Sequence, residues 1–84
     1  PAFAFTVEEV FYIKPPVDRV ILVGTVNDGS VRIGDALTVR CQSGDVPVVL
    51  EGIETIKEGN LQEARKGQQV GLKLRGISEG PSGQ

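Results

Sequence analysis

A run of strand signals punctuated by glycine constrains this chain more than any other feature. Apolar residues fill Val20–Val26, Asn27-Asp28-Gly29-Ser30 follows, and Val31–Ile33, Gly34-Asp35 and Leu37–Cys41 continue the pattern. Gly29 can take the positive φ of a tight turn, and asparagine and aspartate support such a position. The pattern predicts a hairpin, with Val20–Val26 as a central strand and Asn27–Ser30 as its turn. A chain that spends its length on short strands and turns builds a small all-β domain, so its function must reside on a surface.

The remaining segments extend the reading. Phe3, Phe5, Val7, Phe11 and Ile13 share one parity, which in an extended strand is one face, and are expected in the core. Glu9 has the same parity and needs a barrel mouth, a bulge or a partner, because an unpaired buried carboxylate is costly. Lys14-Pro15-Pro16 ends this strand, since proline donates no ladder hydrogen bond. Gly24 interrupts the second strand, which implies a bend or a closely crossing backbone. Gln42–Asp45 reads as a turn, and Gly52 stands where a bend can switch the inward face of Val46–Ile56. Leu61–Lys66 predicts one helical turn closed by Gly67. Val70, Leu72 and Leu74 then alternate against Gly71, Lys73 and Arg75. With turn signals about every 8 to 12 residues, the expectation is a small closed six-stranded antiparallel β-barrel over residues 1–77, with a flexible tail at 78–84.

Composition excludes much chemistry. The chain has 84 residues, no histidine and one cysteine, so Cys/His zinc sites, Ser-His-Asp triads and Cys-His dyads are ruled out. Neither a phosphate-binding G-x-x-x-x-G-K-[ST] loop nor a G-x-G-x-x-G turn occurs, and the acidic residues lack calcium-loop spacing. No cofactor or metal is expected, and no enzymatic activity. A net charge of −2 gives no general attraction to nucleic acid, so RNA contact would need a local basic patch. Cys41 shares a strand face with Leu37 and Val39 and reads as a buried structural thiol. A lone cysteine makes no intrachain disulfide, no apolar run approaches the roughly 18 residues of a membrane helix, and a cytoplasmic location is the expectation.

A few side chains are candidates for recognition. Glu8 and Glu9 point to opposite strand faces and so cannot act as a paired acid and base on one substrate. One can be solvated and the other at the rim, or the pair can recognise a ligand amine or hydroxyl. Lys73 and Arg75 share a face and would form a basic stripe with Arg40 or Arg32 if those strands are neighbours; otherwise they are a solvated face. Lys57, Arg65 and Lys66, interleaved with Glu54, Glu58 and Glu63, read as a mixed-sign solvated surface. Tyr12 is the ring placed opposite the apolar set and available for stacking.

The order of motifs carries a resemblance. Val7-Glu8-Glu9-Val10-Phe11-Tyr12-Ile13, Val20-Ile21-Leu22-Val23-Gly24-Thr25-Val26, Gly29-Ser30-Val31 and Ile33-Gly34-Asp35 are followed by Val49–Glu54 and by Glu63–Ile77. This succession resembles the second domain of translational GTPases such as elongation factor Tu, over nearly the whole chain from Phe5 to Ile77. The resemblance implies a six-stranded antiparallel barrel that contacts RNA, transfer RNA or ribosomal, or a translation-associated protein. It also implies that Glu8, Glu9, Phe11 and Gln69 stand where residues of the aminoacyl-end pocket stand. Glu9 and Gln69 replace an aspartate and an asparagine of the family pattern, Val23 replaces a threonine, and no GTPase domain is present in this sequence. A protein-interaction module with no RNA role is the alternative.

Overall fold

The computed structural model describes residues 2–76, and the expectations for Ile77 and the tail at 78–84 lie outside that span. The chain forms β1 (Ala4–Ile13), β2 (Arg19–Asp28), β3 (Ser30–Arg32), β4 (Ala36–Cys41), β5 (Gly44–Thr55), β6 (Gly59–Leu61), β7 (Glu63–Arg65) and β8 (Gln69–Gly76), with no helix among the described residues. The main antiparallel sheet runs β1-β2-β8-β5-β4, with β6 on the edge of β5 beyond β4, and β3 pairs with β7 in a separate ribbon. The all-β, barrel-like expectation holds.

Full closure does not. Among the described residues β1 pairs only with β2, and β4 only with β5, so the sheet curls into a half-barrel whose ladder stays open between β1 and β4. The β3–β7 ribbon covers one end: Ile33 N–H donates to the Gln62 carbonyl at 3.1 Å, and Gly67 N–H to the Val26 carbonyl at 2.8 Å.

The core follows the parity of β2, β5 and β8. Val26, Val48, Leu50, Ile53, Val70, Leu72 and Leu74 are buried, together with Val31 and Ala64 from the ribbon. Leu50 and Ile53 are both inward although three positions apart, because a bulge at Glu51 shifts the register between Leu50 and Gly52. The bend expected near Gly52 is therefore present.

Three local expectations are corrected. The Asn27–Ser30 turn does not form: Asn27 and Asp28 belong to β2 and Ser30 to β3, Gly29 alone makes a bend at φ 71°, and β3 pairs with β7, so there is no β2–β3 hairpin. The helical turn expected over Leu61–Lys66 is instead β6, β7 and their connection. One turn of helix has too few hydrogen bonds to compete with two strand pairings and the burial of Ala64. Gly67 does reverse the chain, at φ 93°.

The third correction concerns β1. A bulge at Glu8 shifts its register between Val7 and Glu9. Phe5 and Val7 face inward before it, whereas Val10 and Tyr12 take the inward positions after it. Phe11, expected in the core, is turned to the outer face and is 51% exposed. A single inserted residue reverses every later side chain, because strand side chains alternate with period two. Cys41 keeps the parity of Leu37 and Val39 but is exposed, since β4 is an open edge.

Candidate functional site

The Glu8 bulge also builds the outer-face site. The extra residue throws the Glu8 carboxylate across β2, where Gln69 Nε2 donates to Glu8 Oε1 at 3.0 Å. Register places Gln69 opposite Thr25, Gly71 opposite Val23, and Glu9 opposite Val23 on the far side. Glu8, Glu9, Val23 and Gln69 thus occupy one patch. Phe11 lies further along, opposite Ile21, roughly 16 Å from Gln69 between Cα positions by strand spacing and rise. It extends the patch as an exposed ring and does not meet the Glu8–Gln69 pair.

Beside Gln69 lies an open groove of about 560 Å³, lined by Val23, Glu54, Ile56, Lys57, Glu58 and Gln69. Gly71, opposite both Val23 and Glu54, keeps its floor low. Ile56 is fully exposed at its rim. Ile56 and Lys57 were not distinguishable in sequence as site residues; their only signal was a charged stretch that reads equally as solvated surface. The groove offers an apolar floor, an amide and carboxylates, a set suited to hydrogen-bonded recognition. Among the described residues no group of three or more acidic or cysteine side chains is placed to hold a metal.

The candidate RNA contacts are dispersed. Lys73 and Arg75 are outward neighbours on β8, but Arg40 stands opposite Asp45 on β4, while Arg75 stands opposite Val49, four positions along β5. Arg32 lies on the separate ribbon, 3.6 Å from Glu63. Arg75 Nε donates to Glu51 Oε2 at 3.0 Å, and Arg19 Nε to Glu51 Oε1 at 2.7 Å. At this bulge the half-buried Glu51 carboxylate bridges the two guanidiniums. Tyr12 is exposed, as expected, and its hydroxyl donates to Asp18 Oδ1 at 2.7 Å. That hydrogen bond, with smaller contributions from partial desolvation and the Asp18 charge, raises the phenol above its ordinary pKa.

The hydrogen bond from Arg19 is the main reason the Glu51 carboxyl lies below its ordinary pKa, with Arg75 adding to the effect. A carboxyl depressed in the folded state stabilises the fold above its unfolded pKa, and that contribution is lost as pH falls through the folded value. Glu51→Gln is therefore expected to lower the thermal midpoint at neutral pH and to leave a flatter acid limb. Thermal melts from neutral pH down to about pH 3 check this. Parallel curves for the two proteins would mean that the bridge contributes nothing.

No family model matches the chain.

Proposed function

We propose that this protein is a non-enzymatic binding module that works as the second domain of translational GTPases does, by contact with RNA at its outer sheet face. The Glu8–Gln69 hydrogen bond carries this reading. It joins the two segments, Glu8-Glu9-Val10-Phe11 and Gly67-Gln68-Gln69-Val70-Gly71, on which the resemblance to that family's aminoacyl-end pocket rests. The Val23 floor and the neighbouring groove supply an apolar surface beside hydrogen-bonding groups, which is what an aminoacylated 3′ end offers a use for. The half-barrel is this chain's counterpart of the family's closed barrel.

Fluorescence anisotropy with labelled transfer RNA, aminoacylated and deacylated, tests the proposal. Weak binding that favours the aminoacylated form is expected, with a shallow salt dependence because few cations are free to neutralise phosphates. Glu8→Ala and Gln69→Ala should each weaken it about tenfold, the scale of one charge-assisted hydrogen bond. Equal binding of both RNA forms, unmoved by either substitution, overturns the reading.

A second reading has its own observation. Phe11 and Ile56 are exposed on this face while Arg19 and Arg75 are committed to Glu51, a balance that favours a protein partner over phosphate. Binding to a translation-associated protein that Phe11→Ser abolishes, with no RNA binding, would decide for it.

A further inference from the structure

The β3–β7 ribbon is a surface distinct from the outer face of the main sheet. Val31 and Ala64 are buried against the core, so their strand neighbours Ser30, Arg32, Glu63 and Arg65 turn outward. Lys66 follows directly, before the chain reverses at Gly67. Ser30–Arg32 and Glu63–Gly67 carry Arg32, Arg65 and Lys66 against a single acid, Glu63. In a chain of net charge −2 the ribbon is therefore an island of positive charge.

These arginines are held differently from the pair on Glu51. Arg32 Nη1 and Arg65 Nη2 approach one oxygen, Glu63 Oε1, at 3.6 and 3.3 Å, and their side chains are 66% and 74% exposed. A guanidinium has five N–H donors, so both forks keep donors to spare while the half-buried Glu63 holds them side by side. Lys66 enters no ion pair among the described residues. The flanking carboxylates are turned back on the backbone: Asp28 Oδ1 accepts from Gly29 N–H at 3.0 Å, and Asp35 Oδ2 from Arg32 N–H at 2.8 Å. Gly29, Ser30, Glu63, Arg65 and Lys66 line a shallow groove of about 570 Å³ that has no apolar side chain in its lining.

We infer that the ribbon is a contact for the phosphodiester backbone of single-stranded RNA, whose phosphates lie against Arg32, Arg65, Lys66 and the Ser30 hydroxyl. The chemistry of the groove specifies the occupant. Forked N–H donors and an ammonium match phosphate oxygens, and the hydroxyl adds a neutral donor. A docked protein needs a buried apolar anchor, and this groove offers none. It holds no aromatic ring either, so it stacks no base and reads no sequence. Position points the same way. Gln68 lines the groove beside Gln69, and its Oε1 accepts from Arg65 N–H at 2.7 Å. Lys66 Cα lies within about 11 Å of Gln69 Cα, the reach of three residues. The inference rests on the RNA reading of the outer face for its partner: a strand whose 3′ end sits at Glu8 and Gln69 carries its preceding phosphates over the ribbon.

The test uses the 84-residue chain labelled with nitrogen-15. The probe is an oligouridylate of about eight nucleotides, blocked at its 3′ end so that it presents no aminoacyl group. Amide shifts are expected at Ser30, Arg32, Arg65 and Lys66. Affinity should fall with salt at a log–log slope of about −2, from three neutralised phosphates at about 0.7 each. Arg65→Gln and Lys66→Gln should each remove about 0.7 from that slope and weaken binding several-fold at about 50 mM salt, whereas Lys66→Arg should retain both. Both positions are exposed, so the variants should keep the dispersed amide spectrum of the folded chain. Three results overturn the inference: no shifts, or shifts confined to other faces; slopes that neither substitution moves; or equal shifts from a glutamate peptide of the same length, which would make the ribbon a general anion surface. Transfer RNA separates this inference from the outer-face reading. Lys66→Gln should weaken aminoacylated and deacylated forms alike, whereas Gln69→Ala should remove the preference between them. Absence of that preference in the unaltered chain sinks the outer-face reading and leaves the oligouridylate result standing.

Discussion

Gly24→Val is expected to lower the thermal midpoint more than any other single substitution on β2. The position lies directly against the β1 backbone at Thr6. A Cβ built there falls onto the Thr6 carbonyl oxygen, 2.9 Å from its carbon and 3.2 Å from Phe5 Cε2. The oxygen belongs to backbone paired in the β1–β2 ladder, so it cannot swing aside as a side chain would. Overpacking typically costs about 1–3 kcal/mol, and a clash with backbone belongs at or above the top of that range. For a domain of this size each kcal/mol moves the midpoint about 4–8 °C, so a fall of roughly 12–24 °C is expected. Gly24→Ala should already show most of it, since the first added carbon makes the clash. An unchanged midpoint for both variants would mean that β1 does not lie against β2 at this point.

Leu50→Ala is expected to be of the same order for the opposite reason. Leu50 has no exposed surface, and its backbone N–H and carbonyl are bonded to the Asp35 carbonyl and the Gly34 N–H at 3.0 and 2.8 Å. The strand cannot shift to fill a void because both of its polar groups are anchored. Loss of the side chain should cost about 2–5 kcal/mol. Against the few to about 13 kcal/mol available to a domain of this length, that is a large fraction. Urea titration should show a lower midpoint with an unchanged slope. Val10→Ala, removing a side chain of similar kind from an exposed position, should move the midpoint little. Equal losses at the two sites would contradict the burial of Leu50.

The alternating residues of β8 and the turns at Gly34, Gly44 and Gly67 were legible because each is a local matter. Period-two alternation declares a face, and a positive φ selects glycine whatever surrounds it. Gly24 was legible as a close approach for a similar reason, since a strand keeps a residue without a side chain where another backbone needs the room. The candidate site was legible in part. Glu9 shared parity with apolar neighbours, and a bulge was among the ways to relieve that conflict. The bulge fell one residue earlier, at Glu8, and this decided that Glu8 reaches Gln69 while Phe11 turns away from the core.

The amino-acid sequence by itself determined the strand-and-turn alphabet of this protein, the apolar rows of β2, β5 and β8, and the absence of histidine-dependent chemistry. Those properties follow from residue type and spacing within a few positions. Tertiary structure alone decided which strands pair. Whether β3 returns to β2 or joins β7, whether Leu61–Lys66 coils or extends, and whether β1 meets β4 all depend on partners distant along the chain. A hydrogen-bonding edge has no sequence signature for its mate. Pairing energies are settled by the burial each arrangement achieves, and Ala64 against Val31 illustrates this, because the ribbon exists where it can cover the open end of the core. The same non-local choice placed Arg75 against Glu51 and left the seam between β1 and β4 lined with apolar side chains.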